Sequence, residues 1–239
     1  MNLEGQKIIV TRPSPDADEM IAALVRAGAQ VLHAPLIQIQ KLELKGDLPN
    51  LKEYDAVVFS SKNGARYFFE TFQKIPSTLK IAAVGASTAS EIKTHGVQVD
   101  LVPKQSEGSE ELFSEMKRAW KLKRMRILLP RAREGREFLM KGLEREGASV
   151  TSLPLYETVP DSEGVQKCLK LLHDGVDWIT FASGSAVFAL FEGSQVNPEI
   201  EEHRTKIAVI GPTTAEALQK YRLAPDADLA TLLNYSVRK

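Results

Sequence analysis

Six short runs in this chain have the residue types that hold anions. They are Thr11-Arg12-Pro13, Ser60-Ser61-Lys62-Asn63-Gly64, Gly85-Ala86-Ser87-Thr88, Pro130-Arg131, Ala182-Ser183-Gly184-Ser185 and Gly211-Pro212-Thr213-Thr214. Hydroxyls and amides donate hydrogen bonds, and glycine uncovers backbone N–H groups where a helix begins. Arg12 and Arg131 add fixed positive charge. Taken singly, a Ser or Thr in such a place most often does no more than cap a helix. What favours ligand binding is that two halves of the chain repeat the same small hydroxyl residues in the same order.

Other chemistry is poorly represented. The sequence contains no GxGxxG, no GxxxxGK[ST] and no HExxH. His33, His95, His173 and His203 are scattered, as surface or loop histidines usually are. The acidic pairs Glu110-Glu111 and Glu201-Glu202 read as solvated helix starts. Lys117–Arg136 holds nine Lys or Arg against one acid, but its single aromatic residue, Trp120, does not make the interleaving that stacks nucleic-acid bases. Only Arg131 in that stretch reads as more than a solvated edge, because Arg12 matches it. Tyr156 stands out because its counterpart in the other half is Ile37. A lone tyrosine usually packs with its hydroxyl satisfied.

The elements that must position these residues follow from an internal repeat. Residues 7–40 align without a gap on residues 126–159, with nine of 34 positions identical, among them Arg12/Arg131, Gly28/Gly147 and Pro35/Pro154. YDAVVFSSKNGARYFFE (54–70) matches VDWITFASGSAVFALFE (176–192), and KIAAVGASTASEIKTHG (80–96) matches KIAVIGPTTAEALQKYR (206–222). Each block begins with a short β-branched run, too continuous for a surface helix and therefore a buried strand. A polar run and a helical stretch follow, as in Asp16–Ala27, with Gly28 and Gly147 placed as left-handed helix terminators. Ser109 is predicted to cap a helix over Glu110–Trp120. Alternating βα units predict two lobes, each a parallel sheet flanked by helices, with the six polar runs at the carboxyl ends of the strands, where ligands of such sheets bind. Residues 35–40 and 154–159 alternate apolar and polar. They read either as edge strands or as a two-stranded connection between the lobes.

Composition narrows the classes further. The chain has 239 residues, 43% hydrophobic, with 31 basic and 31 acidic groups. That is enough to bury a core without metal or disulfide staples. Cys168 is alone, which excludes an internal disulfide framework. Residues 36–156 carry 20 basic and 15 acidic groups, whereas the remainder carries 11 and 16. Neutrality is thus a cancellation between lobes. It argues against a nucleic-acid coat but leaves room for an anionic ligand held locally. With no leader-like opening and no long apolar run, the expectation is a soluble cytoplasmic monomer.

The ordered set VTRP, FSSKNG, IAAVGASTA, LPLYET, FASGSAV and IGPTTAEAL closely resembles uroporphyrinogen-III synthase across nearly the whole chain. The resemblance implies two α/β lobes joined by a two-stranded connection, with residues 1–36 plus 157–239 in one lobe and 40–154 in the other. It implies closure of hydroxymethylbilane, a linear tetrapyrrole with eight carboxylates, to uroporphyrinogen III with loss of water and inversion of ring D. It implies no cofactor and no metal, no nucleic acid and no membrane, and a transient contact with the upstream hydroxymethylbilane synthase. Carried over by position, Tyr156 and Thr214 would be catalytic. Thr11, Arg12, Ser60, Ser61, Asn63, Gly85, Ser87, Thr88, Arg131, Ser183, Ser185, Gly211 and Thr213 would bind substrate. Ala182 replaces a hydroxyl residue usual in the family. Arg222 stands where Gly96 ends the matching helix, so the last strand and helix are expected to be degraded. The rival readings are a non-catalytic ligand-sensing module of the same fold, and a nucleotide- or sugar-phosphate-binding enzyme. The latter would want an acidic residue at a strand end, and none of the six runs supplies one.

Overall fold

A computed structural model describes residues 3–44, 46–104, 108–135, 137–192 and 204–233. The first half of the chain forms β1 (Lys7–Val10), α1 (Asp18–Arg26), β2 (Gln30–His33), β3 (Ile37–Lys41), β4 (Ala56–Phe59), α2 (Lys62–Thr71), β5 (Lys80–Ala83) and α3 (Ala86–Thr94). Then come α4 (Ser109–Ala119), β6 (Arg126–Ala132), α5 (Phe138–Arg145), β7 (Ser149–Pro160), α6 (Ser162–His173) and β8 (Trp178–Phe181). The chain continues with α7 (Gly184–Phe191), β9 (Lys206–Val209), α8 (Pro212–Gln219), β10 (Ala227–Asp228) and α9 (Leu229–Leu233). His203 and the pair Glu201-Glu202 lie outside the described residues.

The chain divides into two compact units, Met1–Gln38 with Thr158–Lys239, and Ile39–Glu157. In the first, the strand order is β10-β9-β8-β1-β2, with every recorded pairing parallel. In the second it is β3-β7-β6-β4-β5, and β7, β6, β4 and β5 run parallel. Each unit combines strands from both halves of the repeat, and β3 and β7 carry the chain across the boundary.

The strands are short apolar runs because both faces are covered. Ile8 and Val10 of β1 pack with Met20 and Leu24 on one side, and Ile9 packs with Val165 and Leu190 on the other. In the second unit Val57 and Phe59 meet Phe68 and Ile92, while Ala56 and Val58 meet Leu112 and Met116. Burying each such Ile, Leu or Phe stabilises the fold by about 1.5–3 kcal/mol.

The repeat extends to individual hydrogen bonds. Asp55 accepts the Arg126 N–H at 2.7 Å, and Asp177 accepts that of Lys7 at 2.8 Å. Asp100 accepts the Ile81 N–H at 2.7 Å, as Asp226 does that of Ile207 at 2.8 Å. Phe69 stacks on His95 at 4.5 Å, and Phe191 stacks on Tyr221 at 4.4 Å. Gly28 and Gly147 take φ +86 and +84, the left-handed conformation expected of them.

Three local expectations are corrected. Helix α1 starts at Asp18, after a turn in which the Ala17 N–H donates to the Pro13 carbonyl and the Asp18 N–H to the Pro15 carbonyl; the Ser14 hydroxyl reaches the Asp18 carboxylate at 2.9 Å. Ser109 is the first residue of α4, and Gly108 at φ 155 occupies the cap position. The expected degradation at the end of the first unit is corrected for the helix terminator and the strand, while α9 as described has five residues against eleven in α4. Arg222 adopts φ 60, near the 73 of Gly96. The β10–β9 pairing at Ala227 and Ala208 repeats what is only an isolated bridge, Leu101 to Ala82, in the second unit.

Candidate functional site

The carboxyl ends of four matched strands lead into helices of two kinds. After β4 and β8 a serine caps the helix: Ser61 accepts the Gly64 N–H at 2.9 Å, and Ser183 accepts the Ala186 N–H at 3.3 Å. After β5 and β9 the cap residue is Gly85 or Gly211, both in extended backbone, and α3 and α8 begin with no side-chain cap. Helix dipoles give all four starts a partial positive charge. Ser87, Ser185 and Thr213 are exposed there, while Ser60, Asn63 and Ser183 are half-buried.

The second unit adds a cluster that the first lacks. The Tyr156 hydroxyl lies 2.9 Å from the Ser61 hydroxyl, and the Tyr67 ring packs 5.7 Å from that of Tyr156. Tyr67 donates to the Ile39 carbonyl at 3.3 Å. Tyr156 is 7% exposed. Burial pushes its phenol above the ordinary value, against the opposing pull of the Ser61 hydrogen bond and the Arg131 charge. The phenol therefore keeps its proton well into alkaline solution.

Arg131, 8% exposed at the end of β6, donates to the Gly135 carbonyl, which fixes its guanidinium. A buried cation of this kind must be held by hydrogen bonds to offset its lost hydration. Gly64 allows the cluster to form. A Cβ there would lie 2.9 Å from the Pro130 carbonyl and 3.0 Å from the Ser61 hydroxyl. Only a bare Cα lets the first turn of α2 settle on the end of β6.

The first unit keeps the framework without the cluster. Thr11 is wholly buried and its hydroxyl donates to the Thr180 carbonyl at 2.6 Å, while Thr180 donates to the Ile9 carbonyl at 3.1 Å. The Thr11 hydroxyl, expected at a substrate-binding strand end, thus ties β1 to β8. Arg12 is half-buried, and its carbonyl accepts from His33 at 2.8 Å.

Thr214 and Thr88 are 4% and 2% exposed and lie on the core-facing sides of α8 and α3, Thr214 with Ala217 and Leu218, Thr88 with Ala89 and Ile92. Both threonines are thus packed at equivalent places in the repeat.

Sequence reasoning missed Tyr67, and named Gly64 only as part of the run Ser60–Gly64 without its packing role. A signal for each existed, since their counterparts are Ala189 and Ala186. Among the described residues no His, Cys, Asp and Glu group could hold a metal, and no helix is long and apolar enough to cross a membrane.

Comparison with known proteins agrees with the sequence resemblance. Residues 18–227 match the family described as Uroporphyrinogen-III synthase HemD. The uroporphyrinogen-III synthase of Chlorobaculum parvum is 26% identical over 228 residues, covering 92% of this chain and 91% of its own. The fold is shared with a uroporphyrinogen III synthase crystal structure from Thermus thermophilus, at 20% identity, TM-score 0.63 and 96% coverage of both chains. It is shared also with the Helicobacter pylori uroporphyrinogen-III synthetase, at 19% identity and TM-score 0.62, with 98% of this chain and 100% of that one covered. With 210 consecutive residues matched and the doubled α/β architecture in place, this chain belongs to the uroporphyrinogen-III synthase family.

Proposed function

We propose that this protein cyclises hydroxymethylbilane to uroporphyrinogen III, with loss of water and inversion of ring D, and that Tyr156 assists departure of the hydroxyl. The observation that carries the assignment of Tyr156 is its hydrogen bond to Ser61. Ser61 accepts the Gly64 N–H, so its own proton is available to the Tyr156 oxygen. That leaves the phenol proton to meet the departing hydroxyl.

A phenol with a raised pKa is a weak acid, which suits this task. The hydroxymethyl C–O bond breaks as the pyrrole nitrogen pushes electrons toward the carbon, leaving an azafulvene and an oxygen on its way to hydroxide. Water has a pKa of about 15.7, so proton transfer from even a raised phenol becomes downhill late in the cleavage. The resulting phenolate is stabilised by the Ser61 hydroxyl and the Arg131 charge. It recovers its proton at the last step. Ring D attacks through its substituted carbon to give a spiro centre, and the old bond from that carbon to the methylene on ring C breaks. Ring D's free carbon retakes that methylene and loses its proton to regain aromaticity. Atoms and charge balance: one water leaves, and the tyrosine ends as it began.

Holding ring D for that attack is catalysis largely by orientation. We assign the carboxylate arms to strand-end groups in each unit: Ser60, Asn63, Gly85, Ser87 and Arg131 in the second, and Arg12, Ser183, Ser185, Gly211 and Thr213 in the first. The decisive experiment incubates the protein with freshly made hydroxymethylbilane, oxidises the products and resolves the isomers. Type III product above the spontaneous rate is expected. Type I alone, at the spontaneous rate, would reject the assignment.

A further inference from the structure

The first unit contains a cavity of about 340 Å³ lined by Ile37, Thr158, Val159, Pro160, Ser185, Phe188, Ala189 and Glu192. All eight residues belong to that unit. The repeat shows what the equivalent space holds in the other unit. Ile37 corresponds to Tyr156, Ala189 to Tyr67, Thr158 to Ile39, Pro160 to Lys41 and Glu192 to Glu70. There, the two tyrosine rings pack together, Tyr67 donates to the Ile39 carbonyl, and Lys41 bridges to Glu70 at 3.0 Å. Both rings and the ammonium have been trimmed away in the first unit, while the apolar walls, the position of the accepting backbone and the carboxylate remain.

From this geometry we infer that the cavity is a subsite for one pyrrole ring of the substrate. An occupant replacing Tyr67 must be a flat aromatic ring. An occupant facing Glu192 in place of Lys41 must carry a donor, and the pyrrole N–H is such a group on such a ring. Glu192 already accepts the Tyr221 hydroxyl at 3.0 Å, which holds its carboxylate in place and leaves its other oxygen's lone pairs for a ligand. Phe188 forms one wall, and the Lys220 ammonium lies 4.3 Å from that ring's centroid. The volume falls at the small end of ligand pockets, suited to one ring rather than four.

This inference rests on the synthase reading, so its test must not depend on turnover. We would titrate isotopically labelled protein with 2,5-dimethylpyrrole and, separately, with 2,5-dimethylfuran, which has the same shape without the N–H. NMR shifts are expected at Ala189, Ser185 and Thr158, with the furan binding at least tenfold more weakly. Ala189→Phe, which restores a ring in the cavity, should abolish the shifts. Glu192→Gln, at an exposed position that keeps the fold intact, should shrink the preference for pyrrole over furan. Shifts elsewhere only, or equal binding of the two rings, would overturn the inference. A wild-type protein that makes type III product but shows neither shift nor preference would refute this subsite alone. A protein that binds the pyrrole here but makes no type III product would refute the synthase reading instead.

Discussion

The two units are built on one plan, yet the equivalent strand ends are put to different use. Ser61 and Ser183 both cap a helix after a central strand. Only Ser61 also meets a tyrosine, because only the second unit has Tyr156 where its counterpart has Ile37. Arg12 and Arg131 occupy the same place in the repeat, but Arg131 is buried and fixed while Arg12 is half-buried. A duplicated fold supplies two sets of helix starts at little structural risk. Substitutions at a handful of strand-end positions then give one set a tyrosine–serine hydrogen bond and leave the other without it.

The largest expected effect comes from removing what is unique to the second unit. Tyr156→Phe should lower kcat for type III product by about 10²-fold or more, the usual worth of a positioned proton donor, with the melting temperature nearly unchanged. Gly64→Ala should destabilise the second unit by about 1–3 kcal/mol through overpacking against Pro130, read as a lower denaturant midpoint. The matched change Ala186→Gly creates no clash, and should cost only about 0.5–1 kcal/mol from helix entropy.

The pH dependence separates the units more gently. The Tyr156 phenol is raised by burial, so its neutral form is the one the fold stabilises. That contribution is complete below the unfolded value near 10, and is lost as pH rises through the higher folded value. The alkaline limb of kcat should therefore lie above the ordinary phenol range, and Tyr156→Phe should remove it. Smallest of all is the response of Cys168. Its thiol is wholly buried and pushed up to about 12, so alkylation at neutral pH should proceed only at the rate of unfolding.

Much of this was legible in the sequence. The repeat in Lys7–Gln40 and Arg126–Val159 fixes the strands, the helix terminators at Gly28 and Gly147, and the strand-end location of the rims. Tyr156 was visible as a break in that repeat. What was hidden depends on distances that periodicity does not carry. The hydroxyls of Thr11 and Ser61 look alike in sequence, but one is wholly buried against the Thr180 carbonyl and the other reaches a phenol. Thr214 looks like a rim residue because GPTT opens a helix, yet position three of that helix turns inward. Ser109 reads as a cap, but Gly108, at φ 155, takes the cap position and Ser109 opens the helix. Tyr67 reads in sequence as one aromatic in a helix, and only its contact with Tyr156 gives it a place beside the site.

The most direct test of the division of labour is a matched pair, Ser61→Ala and Ser183→Ala, each assayed for isomer-resolved turnover and thermal melting. Both lose a helix cap and should lose a similar stability, about 1 kcal/mol. Ser61→Ala should lower kcat about tenfold, whereas Ser183→Ala should raise KM a fewfold and leave kcat intact. Equal losses of kcat in the two variants, or a Ser61→Ala protein with wild-type kcat, would contradict the placement of the chemistry in the second unit.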